Sequence, residues 1–391
     1  MEKYIKRTDW RSDFVLVGTP KIRDYSYKID AFSDKSKWQY NVLNLDVDCG
    51  EKYGIIRAEL MGGFSADPNR SNTIYAHGQK PDGSDDYSSS MQIGWDERFD
   101  PDILSQVGER SFITIGLERT VKGELFKKHF LSAYDAIAYV HEHLTDDMLI
   151  KVNGHMKYSI YNDKVQVKKE IESIELVDTD KPVEKVSRFT QTILLDKYSA
   201  DLKNVDNAKG VMYITARVLD YVKEMNGVSI KGQYPYYMNF EYPLDLSDQE
   251  QCKLIYDTLF KVNKDITQIT FNGNFVESGA TVVPTWDDVP EQIKQLVKAK
   301  VFTKEEAIQR CSTNGGKEKR MVLGKPHVKL VGEEKIPTLQ MFPGKYTEEE
   351  LDFSFVNNAA DDNGMPFDAD DNVDASTNAV LNDVVGMDWL N

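Results

Sequence analysis

IKVNGHMKYS at residues 150–159 and ITFNGNFVES at residues 269–278 read as two versions of one strand. Asn153-Gly154 aligns with Asn272-Gly273, and Ile150, Val152 and Met156 align with Ile269, Phe271 and Phe275. Apolar and polar residues alternate in both, the period of a strand with one face on a core. Each stretch follows a helical pattern. LSAYDAIAYVHEHL (131–144) has Ser132 as its N-cap and places Ala136, Ile137, Val140 and Leu144 on one face. SDQEQCKLIYDTLFKV (247–262) has Ser247 in the same capping role.

The surroundings recur as well. DFVLVGTPKI (13–22), WQYNVLNLDVDC (38–49) and GIIRAELMGGF (54–64) are strand-like and precede the first helix, with a turn at Cys49-Gly50-Glu51-Lys52. RFTQTILLDK (188–197), GVMYITARVLDYVKEMNG (210–227) and VSIKGQYPYYMNFEYPL (228–244) precede the second. The first repeat closes with a strand pair, 148–161 and 164–176, joined at Tyr161-Asn162-Asp163; the second returns to strand at 265–283. A repeat of this length predicts a mainly β chain with inserted helices, organised as two similar domains. The first spans 1–180, with a polar insertion at 65–100 and a further strand at 110–119. The second spans 181–285, after a polar linker at 177–187 that contains Pro182.

Beyond the repeat, residues 286–345 predict a small α+β segment. It comprises a helical pair over 286–311, with Pro290 in a first turn and a Thr303–Glu306 capping box, then a basic loop and hairpin over 314–332. From 346 to 391 the chain is acidic and poor in helical periodicity, so a disordered tail is expected. Of the 64 acids, twelve lie after Lys345, where there is no lysine or arginine. The 48 basic residues therefore face 52 acids before that point, and the net charge of −16 shrinks to about −4 for the body. A body so nearly neutral need not repel a polyanion. Three distant cysteines, Cys49, Cys252 and Cys311, without a CxxC spacing, point to no zinc site or disulfide framework. With no apolar stretch near membrane-spanning length and no signal-peptide pattern at the N-terminus, the expectation is a soluble cytoplasmic protein.

Strands, a helix between the third and fourth of five, then a closing pair resembles the OB-fold, a small barrel that binds oligonucleotides. The entry into the fourth strand, Ile150-Lys151-Val152-Asn153-Gly154, is similar to the V-x-V-x-G phrase of bacterial single-stranded-DNA-binding proteins. Those proteins also end in an acidic tail with a hydrophobic tip that docks on partner enzymes. This chain carries Asp361-Asp362 ahead of Pro366-Phe367, and ends in Asp388-Trp389-Leu390-Asn391. Tandem barrels, the insertion and an internal Pro-Phe depart from the bacterial pattern, and the assembly looks closer to a phage-encoded relative. The resemblance implies tandem OB-fold barrels that coat single-stranded DNA during replication, recombination or repair in a bacterial host. It also implies that Pro366, Phe367, Asp388, Trp389 and Leu390 recruit partner proteins.

Strand binding without sequence preference needs aromatic faces for bases and cations for phosphates. In the first domain Trp38, Tyr40, Arg57, Lys151, Lys157, Tyr158, Tyr161 and Lys164 are candidates. Alternation places Lys151, Asn153 and His155 together on one face. In the second domain the candidates are Lys231, Tyr234, Tyr236 and Tyr237, and Lys317, Lys319 and Arg320, with Lys325 and Lys329, extend a phosphate track. Each group also has a structural reading, as rings in a core or lysines on a solvated face. His141-Glu142-His143 does not predict a metal site, because positions two apart on a helix diverge. Asn314-Gly315-Gly316-Lys317 lacks the spacing of a phosphate-binding P-loop. No nucleophile–base arrangement stands out, so neither an enzyme nor a cofactor is expected. A phage structural or scaffolding protein is the alternative reading, and an RNA-binding OB protein a third.

Overall fold

The computed structural model describes residues 10–356, except 163, 180–181, 333, 355 and much of 279–317. Within that last stretch, 281–282, 286, 289, 291–298, 303–304, 307 and 313–314 are described. The first half runs β1 (Ser12–Lys21), β2 (Tyr27–Ser33), β3 (Trp38–Asp48) and β4 (Ile55–Ser65). An insertion follows, with the hairpin β5 (Thr73–Gln79) and β6 (Asp85–Gly94), then the short α1 (Pro101–Leu104). It encloses a small core of its own around Ala76, Ile93 and Val107. Next come β7 (Ile113–Arg119), β8 (Leu125–Phe130), α2 (Ala133–His143), β9 (Ile150–Tyr161) and β10 (Lys164–Leu176). Ser132 caps α2, its hydroxyl accepting from the Tyr134 N–H, and Ala136, Ile137 and Val140 are buried as the periodicity predicts.

Strand pairing closes a ring. β1 pairs with β3, β3 with β4, β4 with β10 in parallel at Glu59 and Glu170, β10 with β9, and β9 returns to β1. The second half repeats this order with β11 (Val186–Leu195), β12 (Ala200–Asp206), β13 (Val211–Met225) and β14 (Val228–Pro243). α3 (Gln249–Ile255) continues as a π-helical turn over Tyr256–Phe260. Its cap is Asp248, not Ser247, whose hydroxyl instead donates to Asp245. Then follow β15 (Thr267–Ser278), β16 (Thr281–Val282), α4 (Glu291–Lys298), β17 (Thr313–Asn314) and β18 (Glu318–Pro326). Here β11 pairs with β13, β13 with β14, β14 with β18 in parallel, β18 with β15, and β15 with β11.

Two sequence expectations need correction. The basic stretch expected to form a separate hairpin supplies β18, the fifth strand of the second ring. Met321 and Leu323 point into the core while Lys319 and Lys325 stay exposed, so the cations mark the outer face of a half-buried strand. The hairpin that does form is β19 (Val328–Val331) with β20 (Ile336–Leu339). It is followed by β21 (Met341–Pro343), which pairs with β15, and α5 (Glu348–Leu351). The acidic segment does not leave the body at 346. Tyr346, Leu351, Phe353 and Val356 are buried in the main core, so four apolar anchors hold this stretch despite its charge. Of the expected helical pair, α4 is seen; Pro290 and Glu306, like residues 357–391, lie outside the described residues.

The repeated Asn-Gly has a packing cause. Gly154 faces Phe14 across β1, and Gly273 faces Phe189 across β11. A Cβ at 154 would overlap the Glu170 carbonyl and stand 2.8 Å from the Phe14 ring. At 273 it would overlap Phe189 and reach the Val322 carbonyl at 2.5 Å. Each glycine thus lets the fifth strand and a first-strand phenylalanine pack against the fourth strand.

The rings are joined edge to edge. β1 and β11 pair antiparallel from Ser12↔Gln191 to Val17↔Val186. Gln191 accepts from Ser12 Oγ at 2.9 Å and Tyr158 Oη at 2.8 Å, and Asp220 accepts from the Tyr158 N–H at 2.9 Å. A buried ion pair, Lys169–Glu277 at 3.4 Å, crosses the same joint, with Lys169 Nζ 4.6 Å from the Phe275 ring centroid.

Candidate nucleic-acid interface

A base stacks only on a ring whose face is open. That criterion divides the expected residues. Tyr161 is 48% exposed at the tip of the β9–β10 hairpin, directly across from exposed Lys164. Tyr237 is 59% exposed on the outer face of β14. Tyr40, Tyr158, Tyr234 and Tyr236 are buried, which corrects the expectation that they offer stacking faces. Tyr158 is spent on the joint with Gln191, and Tyr234 packs against Tyr236 and Phe353. Trp38 is half-buried at the start of β3, its indole over the space that Gly63 leaves open.

The cations divide in the same way. Lys151, Lys231, Lys319, Lys325 and Lys329 are exposed, while Lys317 lies outside the described residues. Lys231 sits at a positive φ of 45° at the start of β14. Lys157 approaches Asp220 at 3.9 Å, and Arg320 pairs with Glu241 at 3.2 Å. The Lys151-Asn153-His155 face is balanced by acids and forms no cationic track. His155 stands 3.0 Å from Glu170 and 2.9 Å from Glu172. Burial opposes charging of its ring, but hydrogen bonds to both carboxylates raise its pKa to about 9.

That shift sets a pH dependence. The folded pKa lies above the ordinary value of 6.5, so the stabilisation is complete below about 6.5 and is lost as pH rises through about 9. The ring is about one-third exposed, so solvent screening reduces the effect to about 1–2 kcal/mol. Urea unfolding of wild type and His155→Gln at about pH 6.5 and about pH 9.5 checks it. The wild type alone is expected to lose this increment.

Two clusters that join the candidates Arg57 and Tyr237 to residues not expected from the sequence sit at matching places on the rings. In the first, the turn after β1 carries Arg23 and Tyr25. The Arg57 guanidinium lies 5.1 Å from the Tyr25 ring and chelates Asp46 at 2.8 and 3.1 Å, while the Tyr25 hydroxyl donates to Asp46 at 3.0 Å. In the second, the turn after β11 carries Lys197 and Tyr198. Lys197 Nζ is 4.7 Å from the ring of Tyr198, which is 80% exposed. Asp196 in that turn holds Arg217 at 2.7 Å, and Arg217 lies 5.4 Å from the Tyr237 ring. Burial of Arg217 opposes its charge, and carboxylates from Glu348 and Asp196 more than offset this. A signal was present in the sequence: Tyr25-Ser26 and Tyr198-Ser199 each follow the first strand of a repeat by a few residues.

α5 lies over the second cluster. With Arg217, Tyr234, Pro235 and Tyr237, residues Glu348 and Phe353 line a groove of about 550 Å³. Among the described residues, no group of His, Cys, Asp and Glu is placed to hold a metal ion. The candidate tip residues Pro366, Phe367, Asp388, Trp389 and Leu390 lie outside the described residues. No described helix is long and apolar enough to cross a membrane.

A family model, YorF, matches residues 118–275, from the end of β7 through most of β15. No curated protein matches the sequence. Among solved structures, the wild-type single-stranded DNA binding protein from Thermus aquaticus is similar at 12% identity, over 69% of this chain and 87% of that one, with a TM-score of 0.29. A deletion mutant of the same Thermus aquaticus protein gives 11%, 68%, 87% and 0.29.

Proposed function

We propose that the two rings are tandem OB-folds and that the protein binds single-stranded DNA with little sequence preference. The strand order supports the fold reading: each ring runs first-second-third-fifth-fourth, with a parallel third–fifth pair and a helix between third and fourth strands. One observation carries the functional reading. Each ring presents, on its outer face beside the first-strand turn, a tyrosine next to a cation: Tyr25 by Arg57 and Tyr198 by Lys197. Ring faces take bases of any identity and cations take phosphates, which is the chemistry of sequence-tolerant strand binding. Binding of this kind is stoichiometric rather than catalytic. Protection of DNA during replication or recombination is the corresponding role, with partner enzymes recruited through the acidic tail in the cytoplasm of a bacterial host.

The alternative, an assembly protein built from β-domains, draws on the β19–β20 hairpin, where Val328, Leu330, Val331 and Ile336 are exposed. Titration of tryptophan fluorescence with oligo-dT separates the two. The full chain is expected to be quenched, with affinity falling at least about tenfold between about 50 and about 200 mM salt. A variant lacking residues 357–391, which keeps the buried anchors, is expected to bind more tightly. Absence of binding at every salt concentration, with a filter assay in agreement, would leave the assembly reading.

A further inference from the structure

The two aromatic turns are the same structure built twice. Ser26 accepts through Oγ from the Arg23 N–H at 3.0 Å and returns its own N–H to the Arg23 carbonyl at 2.8 Å. Ser199 repeats this with Asp196, at 2.9 and 3.1 Å. The Ser26 carbonyl accepts from Asn44 on β3 and the Ser199 carbonyl from Thr215 on β13, both at 2.8 Å. Two residues further along those strands, Asp46 faces Arg57 and Arg217 faces Tyr237. Each turn is therefore pinned to the same point of its second strand and reaches a guanidinium on the adjoining strand pair, Arg57 beside Tyr25 in the first and Arg217 through Asp196 in the second.

The copies differ in what occupies the guanidinium. Arg57 is held by Asp46, whose side chain is 5% exposed and belongs to the facing strand. Arg217 is also held by Glu348, at 2.8 and 3.0 Å, from the separate α5 segment, and that side chain is 63% exposed. A carboxylate on two guanidinium nitrogens has the geometry of a phosphate in the same place. Tyr346, Leu351, Phe353 and Val356 anchor the segment, so Glu348 can swing away while its backbone stays docked.

We propose that these are two copies of one nucleotide subsite, with the base on Tyr25 or Tyr198 and the phosphate at the neighbouring cation. In the second copy, Glu348 occupies the phosphate position on Arg217 until a strand displaces it. The inference rests on the strand-binding reading above and adds an inequality to it: at the first site Asp46 keeps Arg57 and the phosphate falls to exposed Arg23, 5.9 Å from the Tyr25 ring, with nothing to displace, whereas the second opens against its own carboxylate.

The test is a set of oligo-dT titrations of the full chain and three variants, Tyr25→Ala at a half-buried ring and Tyr198→Ala and Glu348→Gln at exposed side chains, each checked for unchanged thermal unfolding. Each tyrosine variant is expected to weaken binding at least about fivefold, the low end for one base stack. Glu348→Gln is expected to tighten low-salt binding by about three- to tenfold and to steepen the salt slope by about one, because one more phosphate contact replaces an internal pair. The gain is expected to vanish in the Tyr198→Ala background and to persist with Tyr25→Ala. If wild type binds and Glu348→Gln changes neither affinity nor slope, the capped second site is overturned while strand binding stands. Equal wild-type and tyrosine-variant affinities overturn the subsites themselves. Failure of the wild type to bind overturns both proposals.

Discussion

Glu277→Ala is expected to lower the unfolding free energy by about 3–5 kcal/mol, the range for breaking a buried ion pair from one side. Lys169 and Glu277 are 7% and 6% exposed at the joint of the rings. Losing the carboxylate strands an ammonium against the Phe275 ring, between β10 and β15. Burial already pulls the Lys169 pKa below its ordinary value, even with Glu277 present. In the variant the folded-state amine sheds its proton more readily than the unfolded one. The deficit should therefore narrow as pH rises toward the ordinary lysine range. Urea unfolding at about pH 7 and about pH 9.5 measures both the loss and its slope. The double variant Lys169→Met/Glu277→Leu is expected to recover most of the stability, since an apolar pair of similar volume has no charge to desolvate. A loss under about 1 kcal/mol for Glu277→Ala would mean that water reaches the pair.

Gly154→Ala and Gly273→Ala are each expected to cost about 2–3 kcal/mol through overpacking. The neighbours that a methyl group would strike include backbone carbonyls of Glu170 and Val322, and these move only if the fifth strand moves. Lys151→Ala, on the same strand as Gly154 but exposed, should stay within about 0.5 kcal/mol of wild type. Thermal unfolding of the three variants separates a packing role for the glycine from any general sensitivity of the strand.

These glycines also show why the fold was legible. Asn-Gly inside a strand-like stretch, twice, at the same place after a helix, records a backbone approach that few other residues allow. The fifth strand of the second ring was hidden for two reasons. It follows the fourth after some forty residues, and its outward Lys319 and Lys325 gave it the composition of a loop. The buried tyrosines misled for a different reason. Tyr234 and Tyr236 flank Pro235 on a strand covered on one side by the core and near its end by Phe353, so exposure could not be read from alternation alone. That cover comes from a segment whose acids concealed Tyr346, Leu351, Phe353 and Val356. Tyr25 and Tyr198 escaped notice because a single ring in a turn has no periodicity; only superposing the repeats brings out the shared Tyr-Ser.

The late position of β18 bears on how the chain is born. Synthesis proceeds from the N-terminus at about 5–20 residues per second, and an element can pair only after it has left the ribosome. The first ring has all five of its strands once Leu176 has emerged. The second has four by Ser278 and must wait for Glu318–Pro326, with the Val356 anchor later still. During that interval β14 and β15 present unpaired edges to solvent, the condition under which nascent strands find wrong partners. Because β1 pairs with β11 in the finished fold, an N-terminal ring completed first is expected to hold its younger copy in register until β18 arrives.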